Sequence, residues 1–195
     1  AQFLIEESQQ SSGCNGGDHV EPGVIAENVK VALSLGYRLL DCAPAYENEK
    51  EIGVALKEVF ETGLLRREDL FIISKLPNNR HNERDVLAAC AETLRDLQVD
   101  YLDLYLIHWP ASASRFDDWE KINLGTWKAM TELYKAGRIK AIGVSNFLPH
   151  HLTALLKTEV KPMVNQMEFH PGQMQEETVT FCKENHIVVE AWSPL

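Results

Sequence analysis

The stretch that decides the fold is residues 97–110, LQVDYLDLYLIHWP. Residues 101–107 are a largely apolar run, typical of a strand that is buried on both faces, and the run ends in His108. Apolar side chains recur at helical spacing in residues 83–97 before this strand, and a second helical pattern follows at residues 124–136. The central unit is therefore helix, buried strand, helix.

The same alternation runs through most of the chain. We predict further strands at residues 37–40, 70–74, 139–144, 163–167 and 187–191, and further helices at 24–35, 49–60, 152–157 and 176–185. Strands that alternate with helices need crossover connections, so the pattern predicts a parallel sheet in one domain, residues 23–195. Residues 1–22 are predicted to be an irregular N-terminal segment, in which Phe3-Leu4-Ile5 is compatible with a short strand.

Two α/β architectures fit this alternation, the open doubly wound sheet and the closed (β/α)₈ TIM barrel. The first strand is not followed by GxGxxG, which weakens the dinucleotide-binding open sheet. Polar residues instead stand at or just after the ends of successive strands: Asp41, Lys75, His108, Ser145, Asn146, Gln166 and Glu168. One such residue can be a helix cap, but their recurrence indicates the mouth of a barrel, where active sites lie. We therefore predict a (β/α)₈ barrel in which strands 2–7 are recognisable and the last βα unit is missing from this chain.

Composition narrows the class of protein. The 195 residues are 45% hydrophobic and 25% charged, as in an ordinary folded domain, and the net charge of −10 would repel nucleic acid. Four cysteines are scattered without metal-ligand spacing, which predicts reduced thiols: Cys14, Cys42, Cys90 and Cys182. The sequence has no apolar run of transmembrane length and no secretory pattern, so we expect a cytoplasmic protein.

Asp41, Tyr46, Lys75 and His108 form a chemically coherent group. Carbonyl reduction by hydride needs a proton donor, and a tyrosine with an ordinary pKa of about 10 is a weak one. A buried ammonium at Lys75 would stabilise the phenolate, and Asp41 would keep that ammonium charged. His108 would hydrogen-bond the carbonyl and polarise it. Each residue also has a structural alternative: packing for the tyrosine, a helix cap for the aspartate, a solvated lysine and a hydrogen-bonded core histidine.

Longer motifs decide between these alternatives. Residues 40–49, LDCAPAYENE, preceded by Gly36-Tyr37-Arg38, closely resemble the aldo-keto reductase signature, and residues 97–110 are similar to the fourth strand of that family. Other stretches are similar to further family motifs: Ser74-Lys75-Leu76, GVSNF at 143–147, NQMEFHP at 165–171 and AWSPL at 191–195. The resemblance extends from about residue 22 to residue 195 in the family's order and spacing.

This resemblance implies an NADPH-dependent oxidoreductase, with NADH as the alternative cofactor, that reduces aldehydes and ketones. Its catalytic residues would be Asp41, Tyr46, Lys75 and His108, with Tyr46 as general acid. The cofactor would contact Asp41, Ser145, Asn146, Gln166, Trp192, Ser193 and Leu195, and Trp192 would stack on the nicotinamide. Tyr46, His108 and Trp109 would line the substrate pocket. The expected partner is a small carbonyl compound, without a metal, nucleic acid or membrane, and the expected state is a monomer.

Three features depart from the family pattern. The opening strand has no clear counterpart before Gly23, and Gly13-Cys14-Asn15 is the nearest candidate. Pro77 stands where many members have a pocket tryptophan. The sequence ends at Leu195 without the pyrophosphate loop, the eighth strand and the basic residues that bind the 2′-phosphate in this family.

Two further expectations follow from the resemblance. The short segment after Pro110 resembles the branch of prostaglandin F synthases and 2,5-diketogluconate reductases, and it implies an open pocket. The alternative function is a catalytically weak pseudoenzyme or a cofactor-binding scaffold of the same fold, similar to potassium-channel β-subunits.

Overall fold

The computed structural model describes residues 4–6 and 23–194, in which strands and helices alternate. The strands are β1 (Leu4–Glu6), β2 (Leu39–Asp41), β3 (Phe71–Leu76), β4 (Leu104–Ile107), β5 (Ile142–Ser145), β6 (Val164–Glu168) and β7 (Val188–Trp192). The helices are α1 (Val24–Ser34), α2 (Glu49–Glu61), α3 (Glu83–Asp96), α4 (Trp119–Lys135), α5 (Pro149–Leu155) and α6 (Glu176–Glu184). Short 3₁₀ helices at Pro44–Tyr46 and Arg67–Asp69 precede α2 and β3.

The strands form one parallel sheet in sequence order, from β1 to β7. The sheet is strongly curled. Gln166 on β6 donates from Nε2 to Asp41 Oδ2 on β2 at 3.1 Å, although β3, β4 and β5 lie between these two strands in the sheet. In the described part of the chain, β1 and β7 are the two edges. The predicted α/β alternation is confirmed as parallel strands curled into part of a barrel, and the closed eight-stranded barrel stays a prediction.

The two faces of the sheet have different surroundings. The outer face packs against the helices and forms the main core with residues such as Leu40, Ile72, Tyr105 and Val144. The inner face has a smaller apolar cluster formed by Ile73, Leu104 and Leu106, with Leu39, Ala141 and Val164 against it. Side chains alternate along a strand, so the inner residues nearer the carboxyl ends are the polar ones, Asp41 and Lys75 among them. The apolar layer thus forms the floor of a polar mouth.

Two glycines allow close approaches that a side chain would prevent. A Cβ at Gly53 of α2 would lie 2.1 Å from the backbone oxygen of Asp96 at the end of α3, so the two helices meet there at backbone distance. A Cβ at Gly143 of β5 would lie 2.6 Å from the backbone oxygen of Val164 and 2.8 Å from Leu106 Cδ2 on the inner face. Glycine is the residue type that fits both places.

Most observed element boundaries lie within three residues of the prediction, and two places differ by more. Helix α4 begins at Trp119 rather than at residue 124, because Trp119 packs edge-on against the rings of His150 and His151. Asn123, in the same first turns, is buried and forms two hydrogen bonds with the backbone of Ala111. Apolar periodicity does not register such contacts.

The second difference lies in residues 1–22, which were predicted to be irregular. Leu4–Glu6 forms β1 and pairs with β2 in parallel, close to the short strand suggested at Phe3-Leu4-Ile5. The other candidate for the opening strand, Gly13-Cys14-Asn15, lies outside the described residues.

Candidate active site

The four residues predicted to be catalytic lie together at the carboxyl ends of three neighbouring strands. Asp41 ends β2, Lys75 stands near the end of β3, and His108 directly follows β4. Tyr46 ends the 3₁₀ helix that follows β2. Because the three strands are adjacent and parallel, inner side chains at their ends converge on one point.

Lys75 is the centre of this group. Its side chain is 1% exposed, and its Nζ lies 2.6 Å from Asp41 Oδ1, 3.2 Å from the Tyr46 hydroxyl oxygen and 3.4 Å from the Cys42 carbonyl oxygen. Burial disfavours the charged amine, but the Asp41 carboxylate and Tyr46 outweigh it and raise the pKa of Lys75 above its ordinary 10.5. At neutral pH the lysine is therefore an ammonium that donates a hydrogen bond to the phenol oxygen.

His108 completes the group in a neutral form. Its ring meets the Tyr46 ring edge-on, with 6.2 Å between centroids. Burial, together with the positive charge of Lys75, lowers the pKa of His108 to about 4. At neutral pH the imidazole has one N–H to donate and adds no second cation beside the ammonium.

Asn146 connects the ends of three strands. It follows β5 with a left-handed backbone, φ 62°, and its Nδ2 donates to the carbonyl oxygen of His108 at 3.0 Å and to Ser145 Oγ at 3.1 Å. The Trp192 indole at the end of β7 donates from Nε1 to Asn146 Oδ1 at 3.0 Å. The carboxamide therefore sets the orientation of the indole relative to β4 and β5.

Gln166 links β6 to β2 and β7 across the mouth. Its side chain is buried, and Nε2 donates to Asp41 Oδ2 at 3.1 Å and to Glu190 Oε1 on β7 at 2.9 Å. The structure thus brings four residues predicted to contact the cofactor to the same mouth as the catalytic group: Ser145, Asn146, Gln166 and Trp192.

The remaining predicted residues lie nearer the surface or outside the described part. Trp109 follows His108 and is 47% exposed. Ser193 is half-buried in the turn after β7, with a left-handed backbone at φ 47°. Leu195 lies outside the described residues.

Two carboxylates of this region were not singled out from the sequence. Glu190 bonds Gln166 at the mouth, and its position two residues before Trp192 on β7 places both on one face of the strand. Glu49 begins α2 and is buried, with hydrogen bonds from Ser74 and Thr93. The sequence signal for Glu49 was its place at the end of the LDCAPAYENE motif.

Within residues 4–6 and 23–194, no three His, Cys, Asp or Glu side chains are grouped so that they could hold a metal ion. No helix in the described ranges is long and apolar enough to cross a membrane. Cys42, Cys90 and Cys182 are buried, and Cys14 lies outside the described residues.

Comparison with solved structures finds the same arrangement of strands. An aldo-keto reductase from a Medee basin deep-sea metagenome library superposes with a TM-score of 0.80 at 38% identity, over 88% of this chain and 60% of that one. The Bombyx mori aldo-keto reductase in complex with NADP superposes with a TM-score of 0.81 at 33% identity, over 92% of this chain and 59% of that one.

Comparison with curated proteins and families agrees. Glyoxal reductase of Bacillus subtilis (strain 168) is 50% identical over 170 residues, which cover 87% of this chain and 57% of that protein. Aldo-keto reductase family 1 member A1 of Gallus gallus is 46% identical over 189 residues, covering 90% and 58%. The chain thus spans somewhat over half the length of these relatives. The profile of the Aldo/keto reductase family matches residues 14–195, and the chain belongs to this family.

Proposed function

We propose that the natural protein reduces aldehydes and ketones to alcohols with NADPH, with Tyr46 as the general acid. The observation that supports this most directly is the position of the Lys75 ammonium, which is held by Asp41 and donates to the Tyr46 hydroxyl oxygen. A phenol in this contact loses its proton more readily, because the ammonium stabilises the phenolate that remains.

The residues then have separate roles. Bound NADPH supplies the hydride to the carbonyl carbon. Tyr46 gives its hydroxyl proton to the carbonyl oxygen, and the phenolate left behind is stabilised by Lys75. Asp41 offsets the cost of burying the ammonium and keeps it charged throughout.

His108 and Trp109 would act on the substrate. The neutral imidazole donates its one N–H to the carbonyl oxygen, which orients the substrate and polarises the double bond. Trp109 offers a half-exposed apolar wall at the rim of the mouth. A small carbonyl compound that enters between them meets both the acid and the hydrogen-bond donor.

The residues at the ends of β5, β6 and β7 fit the nicotinamide end of the cofactor. A carboxamide offers one acceptor and two donors, and these strand ends present a hydroxyl, two amides and an indole in one place. Ser145, Asn146 and Gln166 would bind that carboxamide, Asp41 and Ser193 would lie beside it, and the indole of Trp192 would face the ring. Two solved relatives, from Bombyx mori and of the type AKR2E5, are complexes with NADP and NADPH.

The finer family assignment is also a proposal. Helix α4 begins at Trp119, so the segment after Pro110 is short, which supports the branch of prostaglandin F synthases and 2,5-diketogluconate reductases. The monomeric state and the cytoplasmic location stay predictions.

The test is the variant Tyr46→Phe in the natural protein, assayed by NADPH oxidation with a generic aldehyde. The rate should fall about 10²-fold or more, because the transition state loses its proton donor, while NADPH affinity should change less than about twofold. Tyr134→Phe on α4 is the matched control and should retain activity. Near wild-type turnover of Tyr46→Phe would exclude Tyr46 as the acid. A wild-type protein that binds NADPH without turnover would instead indicate the binding scaffold.

A further inference from the structure

Glu49 is a buried carboxylate that the proposed reaction does not use. It is 6% exposed although it is the first residue of α2, where acidic side chains ordinarily reach solvent. Its Oε1 accepts a hydrogen bond from Ser74 Oγ at 2.6 Å, and its Oε2 accepts one from Thr93 Oγ1 at 3.2 Å. Both hydroxyl residues are themselves buried. The three side chains form a polar cluster between the sheet and helices α2 and α3.

This cluster lies directly behind Lys75 and Tyr46, two of the residues predicted to be catalytic. Ser74 and Lys75 are consecutive in β3, so their side chains point to opposite faces, Ser74 toward the helices and Lys75 toward the mouth. Tyr46 precedes Glu49 in the connection from β2 to α2. The bond between Ser74 and Glu49 therefore joins the segment that bears Tyr46 to the strand that bears Lys75.

Several titratable groups interact electrostatically with Glu49 or lie beside it in this layer. They are Asp96 and Cys90 of α3, Lys75 of β3 and Tyr105 of β4. Burial raises the pKa of Glu49 to about 7, and the hydrogen bonds from Ser74 and Thr93 oppose this rise. Hydroxyl groups accept as well as donate, so the cluster stays hydrogen-bonded whether or not the carboxyl is protonated.

We propose that Glu49 is a positioning residue, which holds Lys75 at hydrogen-bonding distance from Tyr46 through its bond to Ser74. The 3.2 Å contact between Lys75 Nζ and the Tyr46 oxygen is near the long end of the hydrogen-bond range, so a small displacement of either segment would weaken it. Without the bond behind it, the segment that bears Tyr46 loses one of its contacts with the end of β3. The kinetic consequence rests on the proposed function, whereas the positioning itself does not.

The test measures the ionisation of Tyr46 directly in the natural protein, by NMR titration of ring-labelled tyrosine with Tyr46→Phe to assign the signal. Ser74→Ala should make Tyr46 a weaker acid and raise its titration midpoint by roughly one pH unit, because the ammonium moves away. Thr93→Val is the matched control: it removes the other bond to the same carboxylate without touching β3, and it should leave the midpoint unchanged.

Variants of Glu49 separate positioning from charge. Glu49→Ala removes the acceptor for Ser74 and should raise the Tyr46 midpoint as Ser74→Ala does. Glu49→Gln keeps an acceptor oxygen and removes an anion whose field disfavours the phenolate, so it should leave the midpoint unchanged or lower it slightly. A midpoint that rises in Glu49→Ala but not in Glu49→Gln would support positioning, and a fall in both variants would show that charge alone acts.

Steady-state kinetics and thermal unfolding of the same variants give two further measurements. In Ser74→Ala and Glu49→Ala, kcat should fall roughly 3–10-fold with little change in KM, and the pH at which alcohol oxidation becomes active should rise with the Tyr46 midpoint. Thermal unfolding identifies variants that remain folded. The proposal is overturned if Tyr46 titrates as in the wild type in both folded alanine variants. Absence of turnover in the wild type would refute the proposed function alone, because the NMR titration still decides the positioning role.

Discussion

An ion pair lies beside each end of β3, one at the carboxyl end of the strand and one in the 3₁₀ helix that precedes its amino end. At the carboxyl end, Lys75 Nζ lies 2.6 Å from Oδ1 of Asp41, the last residue of β2. At the amino end, Arg67 Nη2 lies 2.7 Å from Asp103 Oδ2, which precedes β4. The two pairs have similar distances, but the Lys75 pair is fully buried, whereas the side chains of Arg67 and Asp103 are 14% and 9% exposed. Their remaining hydrogen bonds also differ.

The Arg67 pair is surrounded by structural partners. The guanidinium also donates to the carbonyl oxygens of Leu70 and Tyr101 and stacks 4.0 Å from the Tyr101 ring centroid. Asp103 also accepts from the backbone N–H of Ile72 at 3.0 Å and lies 3.5 Å from Lys140 Nζ. These contacts hold the amino ends of β3 and β4 together, so we expect this pair to stabilise the fold.

The Lys75 pair differs because one of its hydrogen bonds reaches a group that can change its proton content. The ammonium donates to the Tyr46 hydroxyl oxygen at 3.2 Å, at the open mouth of the sheet. We therefore expect the Arg67 pair to act on stability and the Lys75 pair to act on the proposed reaction.

Breaking the pair at the mouth should have the largest effect. Lys75→Met in the natural protein should lower the rate of aldehyde reduction by about 10³-fold, since Tyr46 loses the charge that stabilises its phenolate. NADPH oxidation in steady state measures this, and Lys140→Met at the opposite end is the control that should retain the rate. If Lys75→Met retains a tenth of the wild-type rate, the mouth pair is not catalytic.

Breaking the pair at the opposite end should act on stability instead. Asp103→Leu leaves the Arg67 charge and the Ile72 N–H without their partner, so the free energy of unfolding should fall by about 3 kcal/mol or more. Urea unfolding measures the loss, while kcat of the folded fraction should be unchanged. The double variant Arg67→Met with Asp103→Leu should recover part of the loss, and a loss equal to the sum of both single variants would contradict this account.

Glu49 extends the comparison to a buried carboxyl whose hydrogen-bond donors in the described part of the chain are hydroxyl groups. Its pKa is about 7 in the folded protein against an ordinary 4.5, so the folded state binds the proton more tightly than the unfolded chain. Stability should therefore fall as pH rises from about 4.5 to about 7, by up to about 3 kcal/mol, and then level off. Glu49→Gln should lack this slope when unfolding free energies are measured across that range. Parallel pH curves for the two proteins would contradict the raised pKa.

The smallest effect concerns the Tyr101 ring, which contacts the cationic groups of Arg67 and Lys140. Lys140 Nζ lies 3.8 Å from the Tyr101 ring centroid, and the guanidinium carbon of Arg67 lies 4.0 Å from it. Tyr101→Leu should lower the free energy of unfolding by about 1 kcal/mol, as expected for cation–π contacts near the surface. Tyr101→Phe keeps the ring and should retain most of that stability in the same urea experiment. Equal losses in the two variants would assign the effect to the hydroxyl instead.

Local patterns were sufficient to predict the alternating elements and where the residues predicted to be catalytic would lie. Apolar runs and helical periodicity located β2 to β7, and polar residues after strand ends indicated where Asp41, Lys75 and His108 would meet. Parallel strands bring their ends together whatever the details of packing, and for that reason a local signal was enough.

Contacts across the mouth could not be predicted in the same way. The bonds from Gln166 to Asp41 and Glu190 depend on how far the sheet curls, which no window of sequence encodes. Burial of Glu49 was missed because an acidic residue in the first turn of a helix is ordinarily a solvated one that favours the helix dipole. The hydroxyl groups that accompany it inside come from β3 and α3, which are remote in sequence.

The absent side chain at Gly143 lets β5 lie close to β6 below the mouth. Its Cα faces the backbone of Val164 so closely that any Cβ would push β5 away from β6. Further along the same two strands, Ser145 and Gln166 pair directly. A side chain at residue 143 that separates the strands would therefore also widen the gap between these two residues at the rim. Substitutions graded in size at this single position therefore offer a way to enlarge the opening in steps, without altering any residue that contacts a substrate.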